Sequence, residues 1–516
     1  MINEKQYLEL CKVCNSVLLA EDSKIERVAI PWLHVIREHP IFLKNYNDIF
    51  ESKAWITELI SKWLRKFRNS ATLLRLVIKT SLKKGQLWYE SEEFPPNIDF
   101  LFVSHLLNAS QAGHEEDFYF GKLPNELVSQ GHSVLIALIN HSDRKGEKLV
   151  IKWNKSTVPR VILSGFLEIS EEIASRCQLK KESYKLRKLA KAEHSELIRK
   201  VLVRASQEAL SNDSQTTLRK YKQIGALVAM LKPKAIIVTH EGHAWERVAF
   251  AAARLALPDI RCIGYQHSAL FRLQNAIRRN LTHNYNPDHI LTAGAVGKVQ
   301  LETSTGISGI PISILGSNRV YIATDNNDGN CQYPFHYNQF KKLSCLVLPE
   351  GITSECHLLF EFSLACAQIC PEIQFIWRLH PLITFKSLIA QNPKLKNLPK
   401  NIVLSQATIG EDISCCSWAL YRGTTAIIMA VQAGLRPIYL QVPNEMTIDP
   451  LYEIDNWKTK VTTSLEFQNG ITMHTDISQS TLINNEDCLK NYCKKFFLPM
   501  NIQMFLSSIS IPHDNI

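Results

Sequence analysis

The chain has 516 residues, 45% hydrophobic and 21% charged, with a net charge of +10. It is too long for one core and too apolar for a disordered chain, so two or three globular domains are expected. The positive charge is spread thinly and forms no nucleic-acid-binding arm, so the expected partners are small anions, phospholipid or acidic glycans rather than nucleic acid.

Lys180-Lys181 and the stretch 185–191 are the densest basic segment, but Glu182 and Glu193 interrupt it as on a solvated helix face. The 13 cysteines are scattered, many in apolar segments, and Cys11 and Cys14 form a lone CxxC. Reduced thiols and no metal site are expected. The N-terminus lacks the basic-then-apolar layout of an export signal. No window reaches the ~18 uninterrupted apolar residues of a membrane span. A cytoplasmic location is expected, with room for contact at the inner face of the membrane.

Residues 1–92 read as an N-terminal helical accessory region. Trp32, Val35, Ile36, Ile41, Phe42 and Tyr46 recur at near-helical spacing, as do Trp55, Leu59, Trp63 and Phe67. Glu92-Glu93-Phe94-Pro95-Pro96-Asn97 breaks the pattern. A strand over 98–103 ends in Ser104-His105, a helix is predicted over 118–130, and a second strand follows over 133–139. This βαβ opening predicts a doubly wound sheet. Further strands are predicted over 160–163, 235–239, 261–266, 289–292 and 312–315, with helices over 246–257 and 294–302. Residues 166–231 read as a charged helical insertion. The whole of 93–325 is expected to form one Rossmann-like domain.

Asn326-Asn327-Asp328-Gly329-Asn330 has turn chemistry and reads as a linker. A second βα series follows over 326–450. Its strands are predicted at 343–348, 375–379, 402–404, 418–420 and 437–440, and its helices at 357–367, 386–391 and 426–433. Residues 451–516 read as a mixed tail with a helix over 487–497.

The motifs sit where these strands end. Tyr421-Arg422-Gly423-Thr424-Thr425-Ala426 joins a strand to a helix, a turn that aims N–H groups and two hydroxyls at an anion. His380-Pro381 ends another strand, where a histidine can donate to phosphate and the proline fixes the turn. Arg378 and Arg422 can add charge there or pair with local carboxylates. In Leu348-Pro349-Glu350-Gly351, Glu350 can accept from ribose hydroxyls or a base amine. Gly351 either permits close approach of a ligand or makes a plain left-handed turn.

In the first half, Thr239-His240-Glu241-Gly242-His243-Ala244-Trp245-Glu246-Arg247 runs from a strand into a helix. Its carboxylate can serve as general base or nucleophile, or Glu241 or Glu246 can cap the helix. It is not a zinc-protease HExxH, because His243 falls one position short of the i,i+4 spacing. His267 ends the next strand and either faces Glu241 or bonds a neighbouring loop. His105 and Glu115-Glu116-Asp117 follow the first strand. They can hold or deprotonate a hydroxyl, or form a charge cluster at a helix start. Glu241, His243, His267 and Asp117 are the catalytic candidates.

On these residues the chain resembles the GT-B glycosyltransferases over about residues 95–445. His380-Pro381 and Thr424-Thr425 resemble the HP and Ser-Ser/Thr motifs of bacterial transferases that use CMP-activated sugars. These are the bacterial sialyltransferases and the Kdo transferases of capsule, O-antigen and lipopolysaccharide assembly. The strings Glu241 to Glu246 and Tyr421 to Thr425 are similar to surface-carbohydrate biosynthesis proteins. The resemblance implies an α/β fold of two Rossmann-like domains facing across a cleft, acceptor domain first and nucleotide-sugar donor domain second. It implies that His380, Thr424 and Thr425 hold the CMP phosphate and that Glu350 holds ribose or cytosine. The implied reaction moves Kdo or a related nonulosonate to a hydroxyl of a surface polysaccharide or lipid-linked glycan, with no metal and no cofactor beyond the donor. One sialyltransferase class carries two acids before the glycine. Here only Glu241-Gly242 is comparable, which leaves the catalytic carboxylate and the anomeric outcome open. The alternatives are a GT-B enzyme using a UDP- or GDP-sugar or a related donor, and a non-catalytic scaffold of the same fold.

Overall fold

The computed structural model describes residues 2–51, 63–64, 67, 70–71, 85–90, 97–151, 157–320, 343–381, 383–454, 458–476 and 487–510. They divide into two compact units. The first contains residues 1–267, 273–318 and 499–516; the second contains 268–272 and 319–498.

The strands of the first unit are β1 (Trp88–Glu90), β2 (Phe100–Leu106), β3 (Val134–Asn140), β4 (Arg160–Leu163), β5 (Ala235–Thr239), β6 (Arg261–Gln266), β7 (His289–Thr292) and β8 (Ile312–Ile314). They form one sheet in the order β1-β4-β3-β2-β5-β6-β7-β8, parallel throughout except for β1 against β4. Central strands are apolar on both faces because helices cover both. Phe100 and Phe102 of β2 join one core with Phe120, Leu123 and Phe505, while Leu101 and Val103 join the other with Leu227, Val228 and Phe250. Each fully buried side chain of this kind contributes about 1.5–3 kcal/mol.

The second unit has β9 (Ser344–Leu348), β10 (Gln374–Trp377), β11 (Ile402–Leu404), β12 (Trp418–Tyr421), β13 (Arg436–Leu440) and β14 (Thr459–Val461). Their order is β11-β10-β9-β12-β13-β14, all parallel. Helix Thr353–Ile369 packs on this sheet. Its Phe360 stacks on Trp377 at 4.3 Å, and its Ser363 accepts from the Trp377 indole at 2.9 Å.

Both sheets follow the doubly wound order, with the direction of winding reversing beside the first strand of each α/β series. Those reversal points fall between β2 and β5 and between β9 and β12. In such sheets the crevice at the carboxyl ends of the strands on either side of the reversal is where ligands bind.

Several expectations change. The helix foreseen over 118–130 starts only at Leu123. Asp117 accepts from the N–H groups of Tyr119 and Phe120, and Gly121 turns the chain at φ 54°. The stretch 166–231 is not wholly an insertion. Its last helix, Asn212–Leu231, lays Ile224, Leu227, Val228 and Leu231 on the sheet and leads into β5.

The N-terminal helix Glu4–Leu19 is pinned to the first unit, with the Tyr7 hydroxyl donating to Leu273 O at 2.8 Å. Arg279 donates to Asn15 and to the carbonyl and ring of His34. Cys11 and Cys14 are buried there, and burial pushes the Cys11 thiol up to about 12. Trp63 and Phe67 lie in helical backbone and are exposed. Trp55, Leu59, residues 92–96 and the linker at 326–330 lie outside the described residues.

The end of the chain is not one tail. Helix Ile502–Ser510 returns to the first unit, where Phe505 packs on Phe100 and Phe102. Among the described residues no helix is long and apolar enough to cross a membrane.

Candidate functional site

In the second unit, three loops meet at the carboxyl edge of the sheet. After β9 come Glu350 and Gly351; after β12 comes Gly423, directly across the reversal point. A Cβ on Gly423 would overlap Oε1 of Glu350 and lie 2.6 Å from its Cδ, so the glycine makes room for the carboxylate. On the other side of β9, a Cβ on Gly351 would lie 2.7 Å from Cε1 and Nδ1 of His380. Both glycines therefore serve close approach, and the φ of Gly351 is not in the left-handed region. The junctions after β10 and β12 lie on either side of β9, whose loop touches residues of both.

Burial pulls the His380 imidazole below its usual value, against the opposing charge of Glu350. Pro381 is exposed beside it. Thr424 and Thr425 are half-buried, and the Thr424 hydroxyl accepts from the N–H of Ala426 at 3.3 Å. Helix Ala426–Gln432 has Thr425 as its N-cap residue but is only 7 residues long, so its dipole adds little.

Both arginines pair with local carboxylates. Arg422 is buried, with its guanidinium bonded to Glu355 at 2.6 Å and also to Glu445. Arg378 donates to Ala407 O and to Asp412, both at 2.7 Å. Each thus takes the second of the two roles left open by the sequence, Arg378 through Nη1.

In the first unit, Glu241, His243 and His267 come together at the carboxyl edge near the β2–β5 reversal. His243 Nε2 lies 3.4 Å from one carboxylate oxygen of Glu241, and His267 Nε2 lies 4.0 Å from the other. Glu241 does not cap the helix. Glu246 does, through one oxygen that accepts from the N–H groups of Glu241, Gly242 and His243 at 2.7–2.9 Å. That cap sets the loop and leaves Glu241 to the imidazoles. Burial opposes ionisation of Glu241, but the His243 hydrogen bond and the charges of His267 and Arg37 hold its carboxyl well below the usual range. Burial likewise opposes charging of His243, yet Glu241 and Glu246 raise its imidazole above the usual value.

Asp117 does not belong to this group. It is buried, and Oδ1 accepts from the Ser104 hydroxyl at 2.9 Å and from two backbone N–H groups. It holds a turn; a base for an incoming hydroxyl needs an accessible oxygen.

The structure adds residues the sequence reading passed over or left at the margin. His105 Nδ1 lies 2.9 Å from His141 Nε2, and its Nε2 lies 3.1 Å from the Thr239 hydroxyl. The Tyr119 ring bridges His105 and His267 at 5.5 and 4.5 Å. Lys220 sits 5.3 Å from the Trp245 ring, and burial pulls it down to about 8. One signal was available: β2, β3, β5 and β6 each end at or within one residue of a histidine (105, 141, 240 and 267).

No protein-family model and no curated protein matches the chain. Among solved structures, the glycosyltransferase SnogD from Streptomyces nogalater is 12% identical, with 80% of this chain and 100% of that one covered at a TM-score of 0.46. The glycotransferase of kitacinnamycin is 10% identical, with 78% and 96% covered at 0.45. UDP-GlcNAc 2-epimerase from Neisseria meningitidis, bound to UDP-GlcNAc, is 13% identical, with 80% and 99% covered at 0.43. At these values the likeness carries no functional argument.

Proposed function

We propose that the protein is a glycosyltransferase that takes a CMP-activated sugar, of the Kdo or related nonulosonate type, and passes it to a hydroxyl of a surface polysaccharide or lipid-linked glycan. The observation that carries this reading is the fit of Glu350 against Gly423 at the second sheet's reversal point, with His380 against Gly351 beside it. A carboxylate in that position suits ribose hydroxyls or the cytosine amine. His380, Thr424 and Thr425 offer neutral donors to a phosphate. With Arg378 and Arg422 bound to carboxylates, such a cradle favours the single phosphate of CMP over the two of UDP or GDP.

The candidate nucleotide-holding groups lie in the second unit and the candidate base in the first. The acceptor oxygen bonds to the anomeric carbon. The bond from that carbon to the phosphate oxygen breaks, and its electron pair leaves with CMP. The hydroxyl proton passes to the neutral imidazole of His243, whose orientation Glu241 sets. Hydrogen bonds to the departing phosphate stabilise the charge that grows there.

A thermal-shift panel of CMP, UDP and GDP on the full chain tests the donor class. CMP is expected to stabilise most, and His380→Ala is expected to remove the shift. A larger shift with UDP or GDP moves the reading to another donor. An unchanged CMP shift in His380→Ala overturns the site. CMP release from CMP-Kdo and CMP-sialic acid then identifies the sugar, and an intact biological activity in a His243→Ala chain would favour a scaffold.

A further inference from the structure

Beside His243 the first unit contains a cavity of about 720 Å³. The N-terminal segment and the helices on either side of residues 209–211 build it, so residues beyond the Rossmann core shape its walls. Trp32, Phe42 and Tyr46 supply an aromatic wall. Trp32 and Tyr46 pack at 4.8 Å between ring centroids, with the indole N–H donating to Asn45 O and the Tyr46 hydroxyl to Trp32 O. Those bonds fix the two rings, which are nearly buried, with the Arg204 guanidinium 5.7 Å from the Trp32 ring, so Phe42 is the more accessible part of the wall.

The polar wall carries amides and carboxylates from Asn45, Gln207, Glu208 and Asp213. Gln207 keeps a buried Oε1 with no hydrogen-bond partner among the described residues. The charge balance is against anions. Both basic groups of the lining are already paired, Arg204 with Asp48 and Glu208 and His243 with Glu241, and Asp213 adds a further negative charge.

We propose that this cavity takes an uncharged sugar residue of the acceptor. Amides donate and accept, as sugar hydroxyls require, and carboxylates accept hydroxyl protons. Aromatic rings cover the C–H faces of a pyranose. A phosphate or sialyl group would meet a surplus of carboxylates. The acceptor selectivity then resides in segments 31–46 and 204–213, outside the sheet itself. That the sugar belongs to the acceptor rests on the transfer reaction proposed above; the binding of a neutral sugar does not.

The test is saturation-transfer NMR on the full chain without donor. The probes are glucose, galactose, mannose, lactose, maltose and cellobiose, with sialyllactose as the acidic comparison. At least one neutral sugar is expected to give signals that Phe42→Ala weakens roughly tenfold, the loss of about one aromatic contact. CMP binding, read by thermal shift on the same variant, is expected to stay unchanged, which shows that the variant is folded. Asp213→Lys is expected to raise the relative binding of sialyllactose. The proposal falls if no neutral sugar gives a signal that Phe42→Ala lowers, or if sialyllactose binds the parent chain better than every neutral probe. Neutral-sugar binding without CMP binding would keep this cavity and sink the donor reading; CMP binding alone would do the reverse.

Discussion

Glu241 and His243 form a pair at 3.4 Å, and of the two it is His243 that lines the adjoining cavity. The carboxylate is held well below its usual range, which makes it a weak base, while the imidazole is raised above its ordinary 6.5. The proton acceptor is therefore the histidine, and the carboxylate orients it. A base must be neutral to work, so kcat/KM is expected to rise with pH through a limb lying above the ordinary histidine value. Glu241→Gln removes the charge that raises His243, so the limb is expected to move to lower pH while the plateau falls. His243→Ala is expected to cost roughly 10²–10⁴-fold in rate, the range of a positioned general base. A flat profile between pH 6 and 8, or a limb that Glu241→Gln leaves in place, would remove His243 from this role.

Gly423 and Glu350 supply a second test. A methyl group at 423 would overlap the Glu350 carboxylate and lie 3.0 Å from Ile448 Cδ1. The carboxylate is the far end of a flexible side chain, so it swings away and the fold survives. Gly423→Ala is expected to weaken CMP binding at least roughly tenfold, about 1.4 kcal/mol, by isothermal titration calorimetry. The melting temperature without ligand is expected to change little. Unchanged affinity would show that Glu350 does not touch the nucleotide.

Much of this was legible because central strands of a covered parallel sheet must be apolar on both faces. Runs such as 235–239 and 261–266 have that character, and the chemistry then falls at their ends. Glu241, His243 and His267 are close in space because their loops leave β5 and β6, which pair side by side. The arginines were harder. The partners of Arg422 come from 67 residues before it and 23 residues after it, and no local spacing signals them. The same holds for helix Ile502–Ser510, whose docking on β2 is a contact across most of the chain. The late start of helix Leu123–Ser129 was obscured for a local reason: an Asp that bonds N–H groups two and three residues ahead looks, in sequence, like an acid at a helix start.

Asp117 gives a third expectation, which separates folding from chemistry. Its Oδ1 gathers three donors in a buried turn. Asp117→Ala leaves those donors without an acceptor, at a cost of about 1–3 kcal/mol. The loss is expected in the urea midpoint, while CMP binding and the pH limb of the surviving activity stay as in the parent. A rate loss of the general-base size with unchanged stability would restore Asp117 as a catalytic group.

Gly242 tests how rigidly the Glu241–His243 loop is held. It has φ 85°, and a Cβ there would overlap the Ala276 carbonyl and lie 2.5 Å from Ile277 N. Backbone cannot swing aside as a side chain can, and Ala276 O is itself fixed by Arg247 at 2.9 Å. Gly131 is the internal control: its φ is 89°, but a Cβ there meets nothing within 4 Å. Gly131→Ala therefore incurs only the left-handed strain, about 1 kcal/mol. Gly242→Ala adds a collision with main chain and is expected to cost about 2–4 kcal/mol. To relieve it the loop must shift, so His243 loses its place beside Glu241 and the raised pH limb is expected to return toward 6.5, the imidazole's ordinary value. Chemical denaturation and a pH profile on both variants decide the matter. Equal stability losses, or an unmoved limb in Gly242→Ala, would mean that this loop is not clamped between the helix cap and the 276–277 backbone.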